Sequence, residues 1–181
     1  GAAAGTGRGR EVLAMLRSSE LVLIIVDALE PDQYSSLLNE IHDAGIRTNQ
    51  HLPDVKITKT DRGGIEIGKT VRLAKLEDHT IKSIARELGL INAMIVIREN
   101  IDSDQLIDVI EGNKKYVPAI TVINKIDLIE KSELNKIIRR INPDLCISAE
   151  NKTNTEELKA LIFKKLNLMS VYCKEMGKKA D

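Results

Sequence analysis

The chain has 181 residues, of which 43% are hydrophobic and 30% are charged, a composition typical of one soluble domain or one domain with a small insert. Lysine plus arginine and aspartate plus glutamate number 27 each, so the net charge is zero, and aromatic residues make up only 2%. These values argue against a protein whose whole surface binds nucleic acid, and against an aromatic platform that stacks single-stranded bases.

The first part of the chain predicts a glycine-rich arm followed by an α/β frame. Residues 1–9 are small and glycine-rich and predict a mobile arm, which leads into a short helical pattern. Leu21–Val26 is a continuous apolar run that ends at Asp27. Such a run is typical of a strand buried on both faces, as in a parallel α/β sheet. Pro31 then opens a helical pattern that Gly45 ends.

The middle of the chain has a different pattern. Residues 55–58 and 65–67 each alternate apolar and polar side chains, with an Asp-Arg-Gly-Gly turn signal between them. This arrangement predicts a two-stranded hairpin. A helical pattern from Asp78 to Gly89 and an apolar strand at Ala93–Ile97 follow. Residues 52–97 therefore predict a small α+β insert within the α/β frame.

The last part of the chain returns to alternating helices and strands. In order, the patterns predict a helix from about Ser103 to Gly112, a strand at Val117–Ile123, a helix at Ser132–Ile141, a strand at Leu145–Ile147 and a helix from Thr155. Strands that alternate with helices predict a three-layer sandwich over a mostly parallel sheet.

The strand Val117–Ile123 runs directly into Asn124, Lys125, Ile126 and Asp127. Ligands of such sheets bind at the carboxyl ends of the strands. The Asp127 carboxylate can accept hydrogen bonds from the ring N1–H and the exocyclic amine of guanine, a donor pair that adenine lacks on that edge. The Asn124 amide can hold the neighbouring loop and the other edge of the base, and the Lys125 stem can lie over the ring. The alternative is a polar strand end that only caps a turn.

A second motif follows one helix and one strand later. Ser148 and Ala149 come directly after the strand Leu145–Ile147. Small residues let the backbone approach a ligand, and a backbone N–H near Ala149 can donate to the guanine carbonyl. A serine–alanine pair alone carries little information, but its position after the Asn124 motif predicts a guanine pocket.

These motifs resemble the Obg-related GTPases, and within them the developmentally regulated GTP-binding proteins, with archaeal members as the expected subgroup. The likeness covers essentially the whole chain. It rests on the arm at 1–10, the Asp-Arg-Gly-Gly-Ile run at 61–65, the segment 106–113, the motif at 124–127 and the tail at 171–174. The arm, with Gly5, Gly7 and Gly9, resembles the second switch region of the family.

The resemblance implies the C-terminal half of a Ras-like G domain. Residues 1–51 and 98–168 would belong to that domain, 52–97 would be the insert, and 169–181 would begin a truncated TGS domain. The family's phosphate loop, first switch and Asp-x-x-Gly turn lie upstream of the position of Gly1. GTP or GDP is therefore the implied ligand, with Mg²⁺ only in the complete protein. The complete protein is expected to hydrolyse GTP, whereas this chain, to which no catalytic or metal-binding residues are assigned, is expected to be inactive.

Residues 63–70 match the phosphate-loop pattern G-x-x-x-x-G-K-[ST]. That loop needs a buried strand before it and a helix that starts at the lysine. The preceding residues 58–62 are all polar, and the alternation of Val71, Arg72 and Leu73 is strand-like. The sequence therefore favours a coincidental match within a hairpin.

Binding of RNA or the ribosome through the insert is the alternative function. Residues 52–97 contain eight lysines and arginines against six acids, an excess that a solvated face explains equally well. The resemblance nevertheless implies a ribosome or RNA, and a regulatory protein, as candidate partners.

Two further expectations concern location and self-association. No apolar run approaches the ~18 residues of a membrane-spanning helix, so no membrane association and a cytoplasmic location are expected. In a truncated G domain, the strand Leu21–Val26 would lie at a bare apolar sheet edge. Such an edge predicts either self-association or coverage by the N-terminal arm.

Overall fold

The computed structural model describes residues 14–169, which form two compact units. The described part of unit 1 comprises residues 14–43 and 117–169, and unit 2 comprises residues 44–116. The predicted switch glycines Gly5, Gly7 and Gly9, and the tail at 171–174, lie outside the described residues. In chain order the elements are α1 (residues 14–18), β1 (Val22–Asp27), α2 (Gln33–Asp43), β2 (Ile46–Thr48), β3 (Val55–Lys59), β4 (Ile65–Lys69), α3 (Asp78–Glu87), β5 (Ala93–Ile97), α4 (Ser103–Glu111), β6 (Lys115–Val117), β7 (Ala119–Asn124), a 3-10 turn (Ile126–Leu128), α5 (Lys131–Ile141), β8 (Leu145–Cys146) and α6 (Thr155–Lys165).

Unit 1 is built on a parallel three-stranded sheet in the order β1-β7-β8. Its central strand β7 is buried from Ala119 to Ile123, because strands pair with both of its edges and side chains cover both of its faces. Leu158, Leu161 and Ile162 of α6 pack against Ile120 and Val122. The register places Asp27, the last residue of β1, opposite Asn124, the last residue of β7. The predicted α/β fold with a mostly parallel sheet is confirmed.

The strand β1 is buried on one face only. Val22, Ile24 and Val26 are at most 4% exposed, whereas Leu23 is 37% and Ile25 is 52% exposed. The expectation of burial on both faces is therefore wrong for the described part of the chain. Among residues 14–169, β1 has one strand neighbour in this sheet, β7, and forms an edge.

Unit 2 contains the whole predicted insert, residues 52–97, together with β2, α4 and the first two residues of β6. Its main sheet has the order β3-β5-β4, with β3 antiparallel and β4 parallel to β5. The predicted β3–β4 hairpin is wrong, because β5 lies between the two strands. A period of two identifies a strand but not its partner, and the apolar β5 is the strand best suited to the centre of the sheet.

A proline divides the predicted strand Val117–Ile123 into two. Pro118 has no N–H to donate to a ladder, and β6 ends just before it while β7 begins just after it. The strand β6 pairs with β2, whereas β7 pairs with β1 and β8. The Pro118 carbonyl accepts a hydrogen bond from Val22 N–H at 3.0 Å, which sets the start of the β1–β7 ladder.

The segment that matches the phosphate-loop pattern is an extended strand. Residues Ile65–Lys69 form β4, and the next helix, α3, begins only at Asp78. The Lys69 ammonium lies 2.5 Å from a carboxylate oxygen of Asp78. The match therefore lacks the loop and the helix from the lysine that would hold a phosphate.

A buried ion pair links two elements of unit 2. Arg47 of β2 donates from Nε and Nη2 to the two carboxylate oxygens of Asp108 on α4, at 2.6 and 2.8 Å. Both side chains are about 95% buried, with 6% and 5% exposure.

Between residues 14 and 169, the helices are too short or too polar to cross a bilayer.

Candidate functional site

The first loop of the candidate site begins at the carboxyl end of β7. Asn124 ends the strand, and Lys125 follows in the left-handed conformation, with φ 64° and ψ 35°. This backbone reverses the chain into the 3-10 turn Ile126–Leu128, and Leu128 N–H donates to the Lys125 carbonyl at 3.1 Å. Asp127 lies in that turn with its side chain exposed. We call residues 124–128 the first loop.

The second loop follows β8 and comprises residues 148–154. Ser148 is 1% exposed and exchanges two backbone hydrogen bonds with Thr153, at 3.2 and 2.9 Å. The Ser148 hydroxyl accepts from Asn151 N–H at 3.1 Å, and the Asn154 amide donates to the Cys146 carbonyl at 2.8 Å. These contacts close the second loop on itself and leave Ala149, near its start, exposed.

The two loops are joined directly. Ala149 N–H donates to Asn124 Oδ1 at 3.1 Å, and Ile126 N–H donates to the Ile147 carbonyl at 3.3 Å. The neighbouring positions of β7 and β8 bring both loops to the same edge of the sheet. The Ala149 N–H, expected to donate to a ligand, thus has a partner within the protein.

Sequence reasoning did not assign a role to Asp27. Its carboxylate oxygen Oδ2 accepts a hydrogen bond from the Lys125 ammonium at 2.6 Å, and its Oδ1 accepts from Leu29 N–H at 3.0 Å. The Lys125 hydrogen bond is the main cause that holds the pKa of Asp27 below its ordinary value, and the Leu29 N–H contributes. The same ion pair raises the pKa of Lys125. The sequence signal that could have identified Asp27 is its position at the end of the apolar run Leu21–Val26.

The joined loops present a carboxylate, a cation and a short backbone segment to solvent. Asp127 supplies two acceptor oxygens, Lys125 supplies an apolar stem with a fixed charge, and Ala149 adds no bulk. This set suits a planar ligand that carries adjacent N–H donors. Within residues 14–169, no three His, Cys, Asp or Glu side chains form a group that could hold a metal ion.

Comparison with known proteins gives a family and several relatives. The profile of the family described as the C-terminal region of the MMR_HSR1 domain matches residues 62–168. The chain is 41% identical over 185 residues to a GTP-binding protein of Methanocaldococcus jannaschii. It is 40% identical to developmentally-regulated GTP-binding protein 1 of Xenopus laevis and 36% identical to developmentally-regulated GTP-binding protein 2 of Mus musculus, each over 182 residues.

The alignments cover all of this chain but only about half of each relative. Each covers 100% of this chain, but only 47%, 49% and 50% of the respective relatives. The chain therefore spans about half the length of the curated relatives it matches.

Proposed function

The chain belongs to the family of developmentally regulated GTP-binding proteins, and we propose that its first and second loops recognise the guanine base of GTP or GDP. The observation that carries the proposal is the hydrogen bond from Ala149 N–H to Asn124 Oδ1. It joins two loops that are 25 residues apart in the chain, so both can contact one base. The names of the aligned relatives support a guanine nucleotide as the ligand.

Asp127 is the proposed base-reading residue. Its exposed carboxylate can accept from guanine N1–H and from the exocyclic amine together, whereas adenine has no matching donors on that edge. The Lys125 stem would cover the ring face. The guanine carbonyl would either share the Ala149 N–H with Asn124 Oδ1 or replace Asn124 Oδ1 as its acceptor. The buried Ser148 would keep the second loop in place.

For the whole protein we propose GTP hydrolysis with Mg²⁺. Phosphoryl transfer needs a backbone cradle, a lysine and a metal ion around the phosphates. The described residues of this chain supply base contacts, and we assign no catalytic or metal-binding role among them. The Mg²⁺ would neutralise phosphate charge when bound.

An NMR titration tests base recognition. GDP at millimolar concentration is expected to shift the resonances of both loops, whereas ADP is expected to leave them unchanged. Asp127→Ala should remove the GDP-induced shifts. Asp32→Ala, which removes an exposed carboxylate elsewhere in unit 1, should preserve them. Equal shifts with both nucleotides, or GDP shifts confined to unit 2, would contradict the proposal.

RNA or ribosome binding by residues 52–97 is the second candidate function, together with a regulatory protein as partner. Its support is that residues 52–97 contain eight lysines and arginines but only six aspartates and glutamates. The structure reduces this support, because Lys69 and Lys75 already pair with Asp78 and Asp102. RNA binding that weakens steeply with salt, and that loses affinity when Lys56 and Lys59 become glutamine, would favour it. A ribosomal role would place the protein in the cytoplasm.

A further inference from the structure

We propose that Asp27 is a positioning residue of the guanine site, which holds the Lys125 side chain in place before the base arrives. This inference rests on the proposed function of the first loop. Asp27 and Lys125 are 98 residues apart in the chain, yet Lys125 Nζ lies 2.6 Å from Asp27 Oδ2. The contact therefore depends on the fold and not on local sequence.

The Asp27 carboxylate is held in place by its strand register and by a backbone N–H of the residues that follow it. Asp27 ends β1 in register with Asn124 of β7, and Ala28 N–H donates to the Asn124 carbonyl at 3.0 Å. Leu29 N–H binds Oδ1 at 3.0 Å, which leaves Oδ2 directed to Lys125. The carboxylate is thus a fixed point at the carboxyl end of the sheet.

The backbone of Lys125 is fixed as well. A left-handed conformation is unfavourable for a residue with a side chain, and it persists where the surroundings determine it. The Lys125 carbonyl accepts from Leu128 N–H, and Ile126 N–H is tied to the Ile147 carbonyl. With its backbone and its Nζ both held, the flexible stem between them has few conformations left.

The ion pair is better suited to ordering than to stabilising the fold. Its side chains are 50% and 28% exposed, and exposed ion pairs contribute little to stability. A long side chain that is ordered before binding loses less entropy when the ligand arrives, so affinity rises. Both groups are charged near neutral pH, and their hydrogen bond lowers the pKa of Asp27 and raises the pKa of Lys125.

Asp27→Asn is the decisive variant, because asparagine can still accept the Leu29 N–H while it removes the charge that faces Lys125. We expect the dissociation constant for GDP to rise about three- to tenfold, the range that follows from releasing one long side chain. Asp27→Glu should restore much of the affinity. Asp32→Asn serves as the matched control, because it breaks another exposed ion pair of unit 1, that with Arg140 at 2.7 Å, and should leave GDP binding unchanged.

Two NMR measurements on the whole chain test the inference: a GDP titration of each variant, and the order of the Lys125 ammonium group without nucleotide. The ammonium group should be ordered in the wild type and in Asp32→Asn, and mobile in Asp27→Asn. An ammonium that is equally mobile in all variants, or GDP affinity that Asp27→Asn leaves unchanged, would overturn the role of Asp27 alone. A wild-type chain that binds no GDP at millimolar concentration would overturn the proposed function and this inference with it.

Discussion

At the scale of single residues, we propose that Asp127 sets the base preference of the site. Asp127→Asn replaces one acceptor oxygen by an N–H₂ donor, which faces the exocyclic amine of guanine but matches the carbonyl that xanthine has there. In a longer chain that also supplies a phosphate loop, the variant should lose GTP and gain xanthosine triphosphate. Sites that pair polar groups discriminate by roughly 10⁴. Competition binding with both nucleotides measures the change, and a variant that still prefers GTP would refute the role of Asp127.

The Asp27–Lys125 pair predicts a specific pH dependence. The pKa of Asp27 lies below its ordinary 3.8, so its contribution to the folded state is present above that pH and is lost as pH falls through the lower value. The pKa of Lys125 lies above 10.5, so its contribution is lost only as pH rises through the higher value. An NMR titration of the Asp27 carboxyl should show its pKa return toward 3.8 in Lys125→Met. Lys159→Met, on α6, should not change it.

The sequence located some of these residues and missed the contact between two of them. Two short motifs at the ends of apolar runs predict one pocket, namely Asn124, Lys125 and Asp127, and then Ser148 and Ala149. Their roles in that pocket stay predictions. The contact between Asp27 and Lys125 depends on the register of β1 against β7, which sets Asp27 opposite Asn124. No spacing in the sequence encodes that register, so only the folded structure reveals the pair.

At the scale of elements, apolar patterns predicted where strands occur better than how they pair. The strands β1, β5 and β7 follow from continuous apolar runs. The partners of β3 and β4 do not follow, because a short turn signal favours a hairpin whether or not a third strand enters between them. Pro118 could have predicted the break between β6 and β7, since proline removes a ladder donor from the middle of a strand.

Removal of one partner of the buried pair of Arg47 and Asp108 should strongly destabilise unit 2. Asp108→Ala leaves the guanidinium of Arg47 buried without its carboxylate partner, a change that costs about 3–5 kcal/mol in comparable cases. Native-state hydrogen exchange of amides in unit 2 measures this free energy of unfolding. Asp104→Ala removes an exposed acid from the same helix and should cost less than about 1 kcal/mol. Equal effects of the two substitutions would contradict the prediction.

At the scale of the whole chain, base contacts alone should give weak binding and no catalysis. The described residues place the phosphate-loop match in the strand β4, so it offers no cradle for phosphates. Calorimetry with GDP and Mg²⁺ should show a dissociation constant weaker than about 10 µM, since the described residues are assigned base contacts and no phosphate contacts. Tighter binding, or steady phosphate release from GTP, would mean that residues 63–70 do hold phosphates.

The edge strand β1 leads to the last prediction, that the chain on its own self-associates. Along β1 the side of the strand away from β7 has no strand partner among the described residues, and Leu23 and Ile25 are exposed on one face. An unpaired apolar edge favours pairing with a second strand, because both the ladder hydrogen bonds and the apolar side chains gain partners. The alternative that we predict is that the glycine-rich N-terminal arm, residues 1–9, covers the edge.

Light scattering with two variants distinguishes these outcomes. Ile25→Lys places a charge on the exposed face of β1 and should convert the self-associated chain to a monomer. Ile91→Lys is the matched control, because Ile91 is 78% exposed in unit 2 and its replacement should leave the association intact. If deletion of residues 1–13 turns a monomer into a self-associating chain, the N-terminal segment covers β1. A chain that stays monomeric with and without those residues would refute the prediction that the β1 edge must be covered.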